Sequence, residues 1–231
     1  MIPLKDTIPS DNYPVVNWLI ILTNTAIFIY MIFSLNAAQT DAFIYKYGLI
    51  PNSINLSEVN NFREFGTGII RPFFTNMFLH GSWGHIISNM WVLYIFGDNV
   101  EDRMGKVPYF LFYIICGLIA GITHFILNRH SGVPALGASG AISGVMAAYM
   151  VMFPRSKIIS LVPVFIIPLL FPIPAIIFIG LWFLIQLLSG TSTILTGQAV
   201  GIAFWAHVGG FIGGLWLYRF FDSHHTRRLF H

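Results

Sequence analysis

The sequence predicts an all-α fold, a polytopic membrane bundle of six transmembrane helices with a long first outer loop. Three observations predict it. The 231 residues are 56% hydrophobic and only 9% charged, where a soluble domain carries about 25% charged residues. Charge-free apolar runs recur at lengths near the roughly 20 residues a helix needs to cross the hydrocarbon core. From Ile158 to Tyr218 there is no Asp, Glu, Lys or Arg.

The elements follow in order. Residues 1–14 are expected to form a short N-terminus, residues 15–221 the six-span domain and residues 222–231 a tail. Val15–Leu35 is the first span; no signal-type cleavage site follows it, so it is read as retained. The Asn36–Phe78 loop carries short apolar pieces such as Ala42–Ile50 and is expected to fold onto the outer membrane surface. Trp83 to about Val100 is the second span, Val107–Leu127 the third and Gly137–Phe153 the fourth. Pro163, Pro168, Pro172 and Pro174 break helix hydrogen bonding, so Ile158–Phe171 is read as interfacial or re-entrant. Pro174–Leu188 is the fifth span, Ser189–Gly197 a polar break, and Ala199–Tyr218 the sixth span. Of the twelve basic residues, eight fall on the side of the termini and four on the other. The positive-inside rule therefore predicts cytoplasmic termini.

Composition also excludes. The single cysteine, Cys116, makes no internal disulfide, and no cysteine cluster offers a metal site. The net charge of +3 includes no basic patch with interleaved aromatics, which argues against a nucleic-acid partner.

Polar groups inside a bilayer are expensive and mark functional sites by default. His85 and Asn89, four residues apart, share one face of the second span. Ser139 lies near the outer end of the fourth. His207 lies eight residues into the sixth, about 12 Å from its start. All fall in one outer layer. Gly137, Gly140 and Gly144 repeat the spacing of His207, Gly210 and Gly214, and such faces let membrane helices approach closely. The fourth and sixth spans are thus expected to be neighbours, bringing Ser139 towards His207. A serine needs a base and an oxyanion needs donors. His85, the Asn89 amide and the Ser139 backbone N–H are the candidates. The acids Asp98, Glu101, Asp102 and Asp222 lie at the other end, so a Ser–His dyad is expected rather than a triad.

At these residues the sequence resembles the rhomboid family of intramembrane serine proteases. Gly137-Ala138-Ser139-Gly140 is similar to its GxSG motif. Ala206-His207, with Gly210 and Gly214, is similar to AHxxGxxxG. His80, His85 and Asn89 fit HxxxxHxxxN, and Gly97, Glu101 and Gly105 fit GxxxExxxG. The resemblance implies Ser139 as nucleophile, His207 as general base, and His85 with Asn89 as oxyanion hole. It also implies a six-span form of the prokaryotic type, in a cell inner or plasma membrane, and no cofactor. It implies single-span membrane protein substrates, entering beside the fifth span and the loop after it and cut near the outer boundary. Two positions depart from the family. Arg71-Pro72-Phe73-Phe74 stands where it carries a Trp-Arg pair, and Ser143 stands where an aromatic packs on the histidine. Trp205 or Tyr149 is then the candidate for holding His207.

Other readings stand beside these. Ser143 shares a face with Ser139 and is read as packing. His80 is read as structural, bonded to first-loop backbone, and His124 as an interfacial or capping residue. Glu101 and Arg103 are expected to tie the inner end of the second span to its loop. A non-catalytic rhomboid-like binding protein and a small transporter are the alternative functions; the first usually lacks the serine or histidine, and the second would show inverted repeats or intramembrane carboxylates. The oligomeric state is not legible.

Overall fold

A computed structural model describes residues 1–54, 61–164, 167–196 and 203–222. The chain begins with strand β1 (Ile2–Lys5), then helix α1 (Val15–Ser34) and helix α2 (Ala37–Tyr47). Two short helical turns, α3 (Phe62–Glu64) and α4 (Arg71–Thr75), follow in the first loop. The long helices α5 (Trp83–Met104) and α6 (Lys106–Leu127) precede the short α7 (Ser139–Met152). Strands β2 (Lys157–Val164) and β3 (Ile167–Pro174) lead to α8 (Ala175–Thr196) and α9 (Phe204–Phe221).

The fold is a polytopic helical membrane bundle. Three described helices are long and apolar enough to cross a membrane: α1, α6 and residues Ala175–Thr193 of α8. Large apolar side chains stand exposed on several long helices, among them Leu22 and Phe33 on α1, Ile126 on α6, Leu188 on α8 and Trp216 on α9. Water would not tolerate that surface; lipid tails do.

The centre is α7. Every residue from Gly140 to Tyr149 is buried, so this helix touches protein on all sides. Glycine makes that possible. A Cβ at Gly210 would fall on the Gly140 carbonyl, and one at Gly214 on the Gly144 carbonyl. At Gly144 a Cβ would lie 2.5 Å from Cys116 Sγ on α6. Helices α6, α7 and α9 therefore pack at near-backbone contact, and the expected neighbours are neighbours.

The expected helical bundle is present, with one addition and one correction. Beside the helices, β1, β2 and β3 form a small antiparallel sheet in that order. Residues 158–171, read as interfacial or re-entrant, are most of its hairpin, with Lys157 opposite Pro174 and Val164 opposite Ile167. The prolines explain how. β3 is an edge strand, where a missing N–H is tolerated. Pro163 lies on β2 beyond the Ile159–Leu161 segment that pairs with β1. The β-branched Ile158, Ile159, Val162 and Val164 suit the pleat. The polar break at Ser189–Gly197 is likewise helical as far as Thr196; Gly197 and the expected start of the sixth span at Ala199 lie outside the described residues.

The ends are tied by named side chains. No side chain caps α1 from its own sequence. Glu101 of α5 does so instead, accepting from the Val16 and Asn17 N–H groups at 3.0 and 2.7 Å. Arg103 pairs with Asp222 at the end of α9, 2.9 Å away. Asp6, after β1, accepts from Tyr149 of α7 and Asn99 of α5. The tail beyond Asp222 lies outside the described residues.

Candidate active site

Ser139 is the first residue of α7. Its approach is fixed by the first loop: Leu49 and Ala135 exchange backbone hydrogen bonds of 3.2 and 2.8 Å, and Gly137 N–H donates to the Asn76 carbonyl at 3.0 Å. The loop is itself anchored where the Trp-Arg pair is missing. The Arg71 guanidinium lies over the Tyr47 ring, 5.4 Å from its centre, and the Thr75 hydroxyl donates to the Tyr47 carbonyl. Gly137 has φ +119°, a left-handed conformation that favours glycine. A Cβ there would lie 2.7 Å from His85 Nε2 and 3.4 Å from Asn89 Nδ2. The backbone two residues before Ser139 is thus presented bare to both side chains.

His207 enters from α9. Its Nε2 lies 2.7 Å from Ser139 Oγ. Its Nδ1 lies 2.7 Å from Gln186 Oε1 on α8, and its ring sits 5.8 Å from that of Trp182. The side chains expected to hold it do not. The Tyr149 hydroxyl donates to Asp6 at the far end of α7, and Trp205 packs against Gly190. Gln186 was missed from the sequence. Its signal was present: it is the one amide in the apolar run Ala175–Leu188, and a buried polar group needs a partner.

His85 and Asn89 of α5 face the same place. Asn89 Nδ2 is 2.9 Å from His80 Nε2, and His80 lies edge-on to His85 at 5.1 Å. Burial pushes the His80 imidazole down to about 3, and the neighbouring His85 acts in the same direction. His80 is therefore neutral, with Nε2 able to accept from the Asn89 amide. The backbone of Phe78, in the first loop, also bonds this ring and acts in the opposite direction, so the expected first-loop partner stands beside Asn89. Ser143 donates to the Ser139 carbonyl at 2.6 Å, a contact within α7. His124 packs buried in the last turn of α6, its carbonyl accepting from Asn128 Nδ2.

The acids lie elsewhere. Glu101 caps α1, Asp102 accepts from the Asp11 N–H and the Asn12 amide, and Asp222 holds Arg103. Among the described residues no group of three or more His, Cys, Asp or Glu side chains could hold a metal ion. A small cavity beside Ser139 is lined by Asn76, Gly137, Ala203 and Ala206, among others. Chemically, the arrangement offers a hydroxyl against an imidazole, at the N-terminus of a helix whose first N–H groups favour negative charge.

Fold and site together define a helical membrane protein with a serine–histidine contact among close-packed helices. The rhomboid domain profile matches residues 68–223, and the chain belongs to the rhomboid family. It is 29% identical over 181 residues to RHOMBOID-like protein 12, mitochondrial, of Arabidopsis thaliana, covering 65% of this chain and 51% of that one. It is 28% identical over 151 residues to the human Presenilin-associated rhomboid-like protein, mitochondrial, covering 63% and 36%. It is 37% identical over 75 residues to Rhomboid-like protein 11, chloroplastic, of Arabidopsis thaliana, covering 32% and 26%. The chain thus spans between about a quarter and half the length of these curated relatives. Their names correct one expectation. They point to organellar membranes, not to a prokaryotic inner or plasma membrane; integral membrane placement stands.

Proposed function

We propose that this chain is an intramembrane serine endopeptidase that hydrolyses single-span membrane proteins near the outer boundary of an organellar membrane. The observation that carries the reading is the 2.7 Å contact between Ser139 Oγ and His207 Nε2. Nε2 takes the Ser139 proton as Oγ attacks the scissile carbonyl, then gives it to the leaving amine. Water, giving its proton to Nε2, then attacks the acyl-enzyme carbonyl, and the proton returns to Ser139 Oγ as the acid product leaves. The oxyanion forms against the Ser139 backbone N–H, His85 and Asn89, which Gly137 lets approach.

Six helices, α1 and α5 to α9, are proposed to span. The length of α7 supports a submerged site. Its 14 residues measure about 21 Å, against a hydrocarbon core of about 30 Å. If its inner end sits at the boundary, its N-terminus and Ser139 begin below the outer surface. Substrates would enter beside α8, and the lipid bilayer is the second partner. No cofactor is required by this chemistry.

A fluorophosphonate should label the wild type and not Ser139→Ala; equal labelling of both would remove the nucleophile. His207→Ala should lower cleavage of a single-span substrate in proteoliposomes by at least about a thousand-fold. Cleavage at the wild-type rate would remove His207 as the base; no cleavage by the wild type would leave a binding protein.

A further inference from the structure

We propose that Gln186 is the positioning residue of the catalytic base: its side-chain carbonyl holds the His207 Nδ1 proton and leaves Nε2 open to Ser139. The inference rests on His207 being the base. It begins with an oddity of α8. Gln186 is buried, 8% exposed, on a helix otherwise turned to lipid and apolar packing. An amide placed there without a partner is costly. Its partner is His207 Nδ1 at 2.7 Å.

The tautomer follows. A neutral imidazole carries one ring proton, and the hydrogen bond at one nitrogen decides the role of the other. A carbonyl oxygen accepts only, so Gln186 Oε1 selects the form protonated at Nδ1. Nε2 is then the free acceptor, 2.7 Å from Ser139 Oγ. Orientation has a second support from the same helix. Trp182 precedes Gln186 by four residues, on the same face, and its ring lies 5.8 Å from the imidazole. Phe183 stacks on Phe211 of α9 at 4.2 Å, fixing the α8–α9 seam around the pair.

The acceptor is neutral, and this is chemically distinct from a triad. The carboxylates near α5 and α9 cap and bridge at the opposite end of the bundle. The imidazolium formed during attack is steadied by an amide dipole and the Trp182 ring, and among the described residues no carboxylate is bonded to it, so no second buried charge is desolvated. The base is also held from α8, the helix beside which substrate is proposed to enter.

The test uses the full chain in proteoliposomes. Gln186→Met keeps length and burial but has no carbonyl. It should lower kcat for a single-span substrate and the rate of fluorophosphonate labelling together, by roughly ten- to a hundred-fold, with KM within about twofold. Gln186→Glu restores an acceptor and adds charge. It should recover most of the rate and move the acidic limb of the kcat/KM profile up by about one pH unit or more. Labelling of Gln186→Met at the wild-type rate, or a loss confined to KM, would assign Gln186 to packing or substrate entry and overturn the proposal. An unshifted acidic limb in Gln186→Glu overturns it too, and decides alone if the Met variant does not fold. His207→Ala separates the two levels, since wild-type labelling in that variant removes the base itself.

Discussion

His80, Asn89 and Gly137 stand beside the Ser139–His207 contact and shape its surroundings. The neutral His80 ring holds the Asn89 amide, and the bare Gly137 backbone admits Asn89 and His85. This has a pH consequence. Burial holds His80 at about 3, below its ordinary 6.5. A group depressed in the folded state contributes stability that is complete above its unfolded pKa and lost as pH falls towards the folded one. Thermal stability in detergent should therefore fall between pH 6.5 and 4. His80→Asn should be less stable at pH 7 and show a shallower acid loss; an unchanged slope would contradict neutral burial. At this scale the motif residues were legible because chemistry restricts their types and spacings. Gln186 carried only the signal of a lone amide in an apolar run, which says that it needs a partner but has no spacing to name one.

Among the elements, glycine registers α7 against α9, and a carboxylate from α5 starts α1. Gly210 faces the Gly140 carbonyl and Gly214 that of Gly144. Gly210→Ala should push the helices apart, destabilise by about 1–3 kcal/mol, and lower cleavage more than ten-fold by stretching the Ser139–His207 contact. An active, equally stable variant would show that the seam yields. Glu101→Gln keeps the shape but loses the charge on two helix N–H groups, and should cost about 1–2 kcal/mol, read as a lower unfolding midpoint with fluorophosphonate labelling retained. The glycine spacing was readable from sequence because backbone approach demands glycine. The Glu101 cap was expected only as a tie to its own loop, because its partner lies 85 positions away.

For the whole molecule, β1 runs beside α5, with Asp6 at Asn99 and Pro3 at Trp91. β1 pairs with β2, Trp91 donates to the Pro3 carbonyl at 2.6 Å, and the Lys157 N–H donates to Thr7. Removing residues 2–5 should lower the unfolding temperature while the fluorophosphonate labelling rate stays within about twofold, because these residues bond to β2 and Trp91 rather than to Ser139 or His207. A matching loss of labelling would mean the termini side governs the site.

Composition and periodicity by themselves determined a helical membrane protein, because lipid demands apolar surface and internally bonded backbone. Position along the spans placed Ser139, His207, His85 and Asn89 in one layer, because helix rise converts position into depth. Tertiary structure alone decided the rest. A proline-rich apolar run with no charges reads the same as membrane or as edge strand until β1 is seen to pair with it. The partner of His207 comes from another helix, and an orphaned side chain's need for a hydrogen bond does not say which helix supplies it.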